Sequence, residues 1–181
     1  MKTVFIKPVQ EGWLYSLSKK YLKSLSSSEH NAIEDYTRSY GHFSGSRLNL
    51  CARFTKFCNR DIKGRIKTID RIIETSKLPK AITVYRGTSL HYEDRTFKKN
   101  VYTIGARFTD KGFVSTSLKK AISFNFGDLV LEIRLPKGFP AIYLQSISAF
   151  GGEKELLLPR NTIFTVLRTQ PHPVLDVHRG G

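Results

Sequence analysis

Three short stretches of this 181-residue chain carry side chains that could do chemistry together. Tyr85-Arg86-Gly87 offers a guanidinium, whose planar fork of donors can clamp a phosphate or a ribose. The glycine after it lets a ligand approach the backbone. Phe113-Val114-Ser115-Thr116-Ser117 offers two hydroxyls, Ser115 and Ser117, on one side of an extended segment and Thr116 on the other. Such hydroxyls can position a carboxylate or a sugar. Gly151-Gly152-Glu153-Lys154-Glu155, followed by Leu156-Leu157-Leu158, puts two carboxylates on one side of a strand start. A carboxylate pair can divide roles between proton transfer and charge stabilisation, as in glycosidic cleavage. Each stretch alone is also what a surface turn, a helix cap or a charged strand edge contains. The three in this order are far more specific.

The elements that must position them divide at Pro79. Ser26-Ser27-Ser28-Glu29 supplies N-cap candidates for a helix carrying Ala32, Ile33 and Tyr36. Tyr40-Gly41 stops it. A second helix is expected from Ser46 to Cys58, with Leu48, Cys51, Phe54 and Cys58 on one face. A third is expected from Asp61 to Ser76, with Ile62, Ile66, Ile69, Ile72 and Ile73 as its apolar stripe. Leu78-Pro79 ends it, because the residue before proline disfavours helix. Strands are then expected at Ile82 to Tyr85, Gly112 to Ser117, Leu129 to Leu135, Ala141 to Leu144, Glu155 to Leu158 and Thr162 to Leu167. Pro159-Arg160-Asn161 reads as the hairpin turn between the last two. Residues 88–106 read as a polar loop with one short helix. The expected class is α+β: a helical N-terminal layer (1–80) packed on a mainly antiparallel, two-sheet β core (81–181), in one domain.

The abnormal number is the charge: 30 Lys and Arg against 15 Asp and Glu, a formal +15. Both halves are basic, with no block of like charges, so the charge is not a tail. It predicts anionic surroundings or partners. Cys51 and Cys58, seven apart on one helix, would lie about 10 Å from each other, too far for a disulfide. The chain has no CxxC or HExxH pattern and its histidines are scattered, so the reading is a reducing, cytoplasmic compartment and no metal. No run of ~20 apolar residues occurs, so no membrane partner is expected.

Arg, then Ser-Thr-Ser, then Glu-x-Glu resembles the arginine–serine–glutamate class of mono-ADP-ribosyltransferases, the class of the binary actin-modifying toxins and the phage T4 transferases. The likeness runs over roughly residues 25–168. Ser28 to Asn49 looks like that family's N-terminal helices, Phe108 to Leu118 like its central signature, and Glu153 to Pro159 like its catalytic strand. The resemblance implies NAD as substrate, cleaved at the nicotinamide–ribose bond. It makes Glu155 the catalytic glutamate, with Ser115 and Ser117 ordering the site and orienting it, and Ser115, Thr116 and Ser117 beside the bound NAD. Arg86 would take the NAD phosphate or ribose, and the Gly87 backbone the nicotinamide amide. Either Phe124 or Phe126 would lie against nicotinamide, with at least one of them in the core. Tyr36 and Tyr40 would approach the adenosine phosphates, or one of them would simply pack between helices. Glu153 would bind and deprotonate the acceptor, and a glutamate there goes with arginine acceptors. Phe150, at the tip of the loop before it, would touch the target protein or anchor the loop.

By analogy the chain is a toxin-like, monomeric enzyme of phage or bacterial origin, acting in the cytoplasm of the cell where it is made or injected. With nothing ahead of the helical layer, no second domain is expected. Its targets would be transcription or translation proteins associated with nucleic acid, such as RNA polymerase or ribosomal proteins. The competing reading is a basic RNA- or ribosome-binding module of the same fold. A transferase using RNA-linked NAD joins the two.

Overall fold

A computed structural model describes residues 11–55, 58–89, 95–148 and 152–179. Four helices come first: α1 (Glu11–Lys23), α2 (Ser27–Tyr36), α3 (Gly45–Phe54) and α4 (Arg60–Thr75). Ser26 caps α2 with a reciprocal box: its hydroxyl accepts from Glu29 N, and the Glu29 carboxylate accepts from Ser26 N. Asn59 caps α4 by accepting from Ile62 N at 2.8 Å. The five isoleucines of α4 are all buried, as their spacing requires. α1 buries only Leu14, Ser18 and Leu22, a pattern too sparse to announce it.

The second expected helix is shorter than its periodicity suggested. α3 stops at Phe54, and Thr55 adopts φ +57°, which turns the chain back. Cys58 therefore leaves the helix, and its Cα lies 5.2 Å from that of Cys51, to which it is disulfide-bonded. The 10 Å separation assumed an unbroken helix. The cysteine argument for a reducing compartment falls with it.

Eight strands follow Pro79: β1 (Ile82–Thr88), β2 (Arg107–Asp110), β3 (Val114–Ser117), β4 (Leu129–Leu135), β5 (Ile142–Tyr143), β6 (Glu155–Leu158), β7 (Thr162–Arg168) and β8 (Val174–Arg179). They hydrogen-bond in the order β2-β7-β8-β4-β1-β3-β6-β5. All pairs are antiparallel except β4 with β8. The expected two sheets are two halves of this order. β1 and β4 share seven paired residues, whereas β1 meets β3 at the single pair Tyr85–Ser117. Short helices α5 (Arg95–Asn100) and α6 (Lys120–Ser123) link the strands.

Leu156-Leu157-Leu158 shows why β6 reads as a continuous apolar run. Leu156 and Leu158 join one hydrophobic cluster, with Val84, Ile133 and Val114. Leu157 joins the other, with Ile33, Leu48, Ile69 and Phe113 under the helices. Both faces of the strand are covered, so no polar residue is needed.

Candidate active site

A cleft of about 520 Å³ opens at the seam between β1 and β3, within the ~300–1,000 Å³ of small-molecule sites. Arg86, Gly87, Ser115, Thr116, Ser117, Glu153, Glu155 and Phe126 all line it. The three stretches singled out in the sequence therefore converge.

Glu155 opens β6 directly opposite Ser117, and Ser115 stands opposite Leu157. Residues opposed across a ladder project to the same side, so both serines share the face of Glu155. Thr116 projects to the other, and its hydroxyl donates to the Leu156 carbonyl at 2.6 Å. Glu155 is only 7% exposed. Burial pushes its carboxyl up to about 7; a hydrogen bond with Ser115 opposes the rise, and the charge of Glu153 adds to it. Burial also raises the Glu153 carboxyl.

The backbone carrying these carboxylates is held at three successive carbonyls. Ser117 Oγ donates to Glu153 O at 2.8 Å, Leu118 N to Lys154 O at 3.2 Å, and Leu144 N to Glu155 O at 2.9 Å. Ser117 is thus an ordering residue whose hydroxyl also accepts from Lys119 N at 3.1 Å.

Across the cleft, Arg86 Nη1 donates to the Ser115 carbonyl at 3.3 Å. Gly87 lines the cleft, but ligand approach is not the only demand on it. A Cβ there would lie 1.7 Å from the Ser123 carbonyl, where α6 crosses β1. Phe126 is in the wall and Phe124 is not among the lining residues. Neither is core: they are 52% and 60% exposed, because they sit on a one-turn 3-10 segment at the surface and not on a strand.

The two tyrosines are not brought to the cleft lining. Tyr36 is buried, edge-on to Phe113 with centroids 5.6 Å apart, and its hydroxyl accepts from Asn49 Nδ2 at 3.2 Å. Tyr40 is 85% exposed in the turn after α2. The helix pattern that placed Tyr36 gives packing, and Gly41 turns Tyr40 outward. Phe150 lies outside the described residues.

One cation escaped the sequence reading. Arg53, in the last turn of α3, lines the cleft. Its Nε and Nη2 donate to the two carboxylate oxygens of Asp110, each at 2.9 Å. Asp110 Oδ1 also accepts from Gly112 N at 2.8 Å. A Cβ at Gly112 would come within 2.8 Å of the Arg53 guanidinium. The signal was the pairing of Asp110 with Gly112 in the central signature; its partner 57 residues upstream is visible only in the fold. Asn49 was missed likewise: its Oδ1 accepts from Phe113 N at 2.7 Å and ties α3 to the entry of β3.

Among the described residues, no group of three or more His, Cys, Asp or Glu is placed to hold a metal. No helix among them is long and apolar enough to cross a membrane.

A buried carboxylate on the face of two serines, with arginines lining the same cleft, is an arrangement suited to glycosyl transfer from a phosphate-bearing substrate. The chain belongs to the ADP-ribosyltransferase exoenzyme family, whose model matches residues 10–179; the family's substrate is NAD. It is 30% identical over 173 residues to mono-ADP-ribosyltransferase C3 of Hathewaya limosa, covering 86% of this chain and 69% of that one. It is 29% identical over 160 residues to the NAD(+)--arginine ADP-ribosyltransferase EFV of Enterococcus faecalis, covering 82% of this chain and 30% of EFV. Among solved structures, the toxin Plx2a of Paenibacillus larvae superposes with a TM-score of 0.75 at 26% identity, over 92% of each chain.

Proposed function

We propose that the protein transfers ADP-ribose from NAD to arginine side chains of target proteins and releases nicotinamide. The observation that carries this is the pair of carboxylates at one cleft, Glu155 buried and Glu153 less so. Ionised Glu155 holds the ribose 2′-hydroxyl and stabilises the positive charge that develops as the nicotinamide–ribose bond breaks. Arg86 faces the pyrophosphate with its fork of donors, and Arg53, held by Asp110, adds its charge. The Gly87 backbone takes the nicotinamide amide, and Phe126 covers the ring. Glu153 binds the acceptor guanidinium and takes its proton as the new nitrogen–ribose bond forms. Arginine is otherwise locked as a cation, so this acceptor needs a carboxylate at that place. The arginine activity named for EFV supports the acceptor.

The excess positive charge bears on the target. A basic enzyme repels a basic protein, so acceptor arginines in acidic or nucleic-acid-bound assemblies suit it, such as transcription or translation machinery of a host cell. Transfer to such targets should weaken as salt rises.

The test is labelled NAD with a small guanidino acceptor and with cell extract. Discrete labelled bands and a labelled guanidine are expected from the wild type and neither from Glu155→Gln. Full labelling by that variant overturns the mechanism. Labelled cysteine or asparagine in place of arginine overturns the acceptor.

A further inference from the structure

A lysine stands between the two carboxylates. Lys154 adopts φ +52°, a left-handed conformation that side chains disfavour. Its ammonium is turned to α1, where Nζ lies 2.7 Å from Glu11 Oε1. The Tyr143 hydroxyl, from β5, donates to the same oxygen at 2.8 Å. Lys119, after β3, adds its charge to that carboxylate, and Tyr15 of α1 lies within electrostatic reach of Tyr143. The tie to Lys154, with help from Tyr143, holds the Glu11 carboxyl below its usual range against a burial penalty. α1 is seated on β5 by a further bond, from Tyr143 N to Ser18 Oγ at 3.2 Å.

Released from Glu11, the long Lys154 side chain has Glu153, its sequence neighbour, as the next carboxylate to pair with. An ammonium within ~4–6 Å of a carboxylate favours its charged form and lowers its pKa by about 1–3 units. It would also repel a cationic acceptor arriving at Glu153. We infer that Glu11 is a sequestering residue: it holds the Lys154 ammonium away from the cleft, so that Glu153 stays available to bind a guanidinium and accept its proton. Glu11 touches neither substrate nor reacting atoms, so it is a positioning residue acting through Lys154. The inference rests on the role assigned to Glu153 above.

The test is a rescue. Glu11→Gln keeps an oxygen for the Tyr143 hydroxyl and releases Lys154. Carboxyl-carbon NMR of the protein without NAD should show Glu153 titrating about one unit lower in Glu11→Gln than in the wild type. Arginine transfer at neutral pH should fall about tenfold in the same variant, with NAD hydrolysis less affected. Adding Lys154→Met to Glu11→Gln should return the Glu153 titration to its wild-type position and recover most of the transfer. A purely structural strap makes the opposite prediction: the double variant is no better than Glu11→Gln, and Lys154→Met alone is as damaging as either. That pattern, or an unmoved Glu153 titration in Glu11→Gln, overturns the inference. Because the titration needs no turnover, it tests the hold on Lys154 independently of the catalytic assignment, which is tested separately by wild-type transfer and by Glu155→Gln.

Discussion

The two walls of the cleft are built by different means. On the β3–β6 side the acidic groups sit on short tethers, and their backbone is anchored at three consecutive carbonyls. On the other side the charges are guanidinium groups at the ends of long side chains, and each leans on something else: Arg86 on the Ser115 carbonyl, Arg53 on Asp110. The contrast matches two tasks. Bond-breaking chemistry loses much of its rate with a misplacement of ~1 Å, whereas holding a pyrophosphate by charge and fork tolerates more. Lesions in the acidic wall should therefore act on turnover, and lesions in the cationic wall on affinity.

The largest effect is expected at Glu155. Glu155→Gln should lower kcat for transfer by about 10³-fold or more, with NAD affinity by calorimetry changing little. An affinity loss that accounts for the whole defect would erase the distinction between the walls. Next comes Glu153→Gln, which should cost arginine transfer ~10²-fold, the scale of general base catalysis, while NAD hydrolysis by water persists. Loss of both reactions together would merge the roles of the two glutamates.

Arg86→Lys keeps the charge but discards the fork. It should raise KM for NAD about tenfold and leave kcat comparatively intact in steady-state assays. A collapse of kcat alone would place Arg86 with the acidic wall.

The smallest effect is on stability, and its sign runs against intuition. The Glu155 carboxyl titrates near 7 when folded against an unperturbed 4.5. The folded state therefore binds the proton more tightly, and stability falls as pH rises across that window. Glu155→Gln should melt several degrees above the wild type at pH 8 and level with it below pH 4.5. The same titration should make wild-type kcat/KM climb with pH through about 7.

The sequence made the acidic wall legible and the cationic wall only partly so. Glu155, Ser115 and Ser117 lie on two strands whose alternation puts them on one face, and strand periodicity is local. Glu153 stands just before β6, and the left-handed Lys154 between the two glutamates breaks the alternation expected of them, so its place at the cleft comes from the turn and not from the strand. Ile62 to Ile73 of α4 were readable for the same reason. Arg53 was not, because its meaning comes from Asp110, on another element far along the chain. Tyr36 shows the converse limit: helical spacing said correctly that it faces inward, but not that its ring would pack edge-on against Phe113. Thr55 misled the cysteine argument, since a left-handed residue that is not glycine leaves little trace in composition.

The Cys51–Cys58 ring encloses Arg53 and Phe54, which line the cleft. Its closure depends on the medium, because thiols pair in oxidising surroundings and stay apart in a glutathione-buffered cytosol. Neither cysteine lines the cleft that the carboxylates share. The same chain would then bind its dinucleotide differently in two compartments while turning it over alike, so a reductant should move KM for NAD and leave kcat in place. Protein purified with and without dithiothreitol would carry, in one kinetic constant, a record of where it had been.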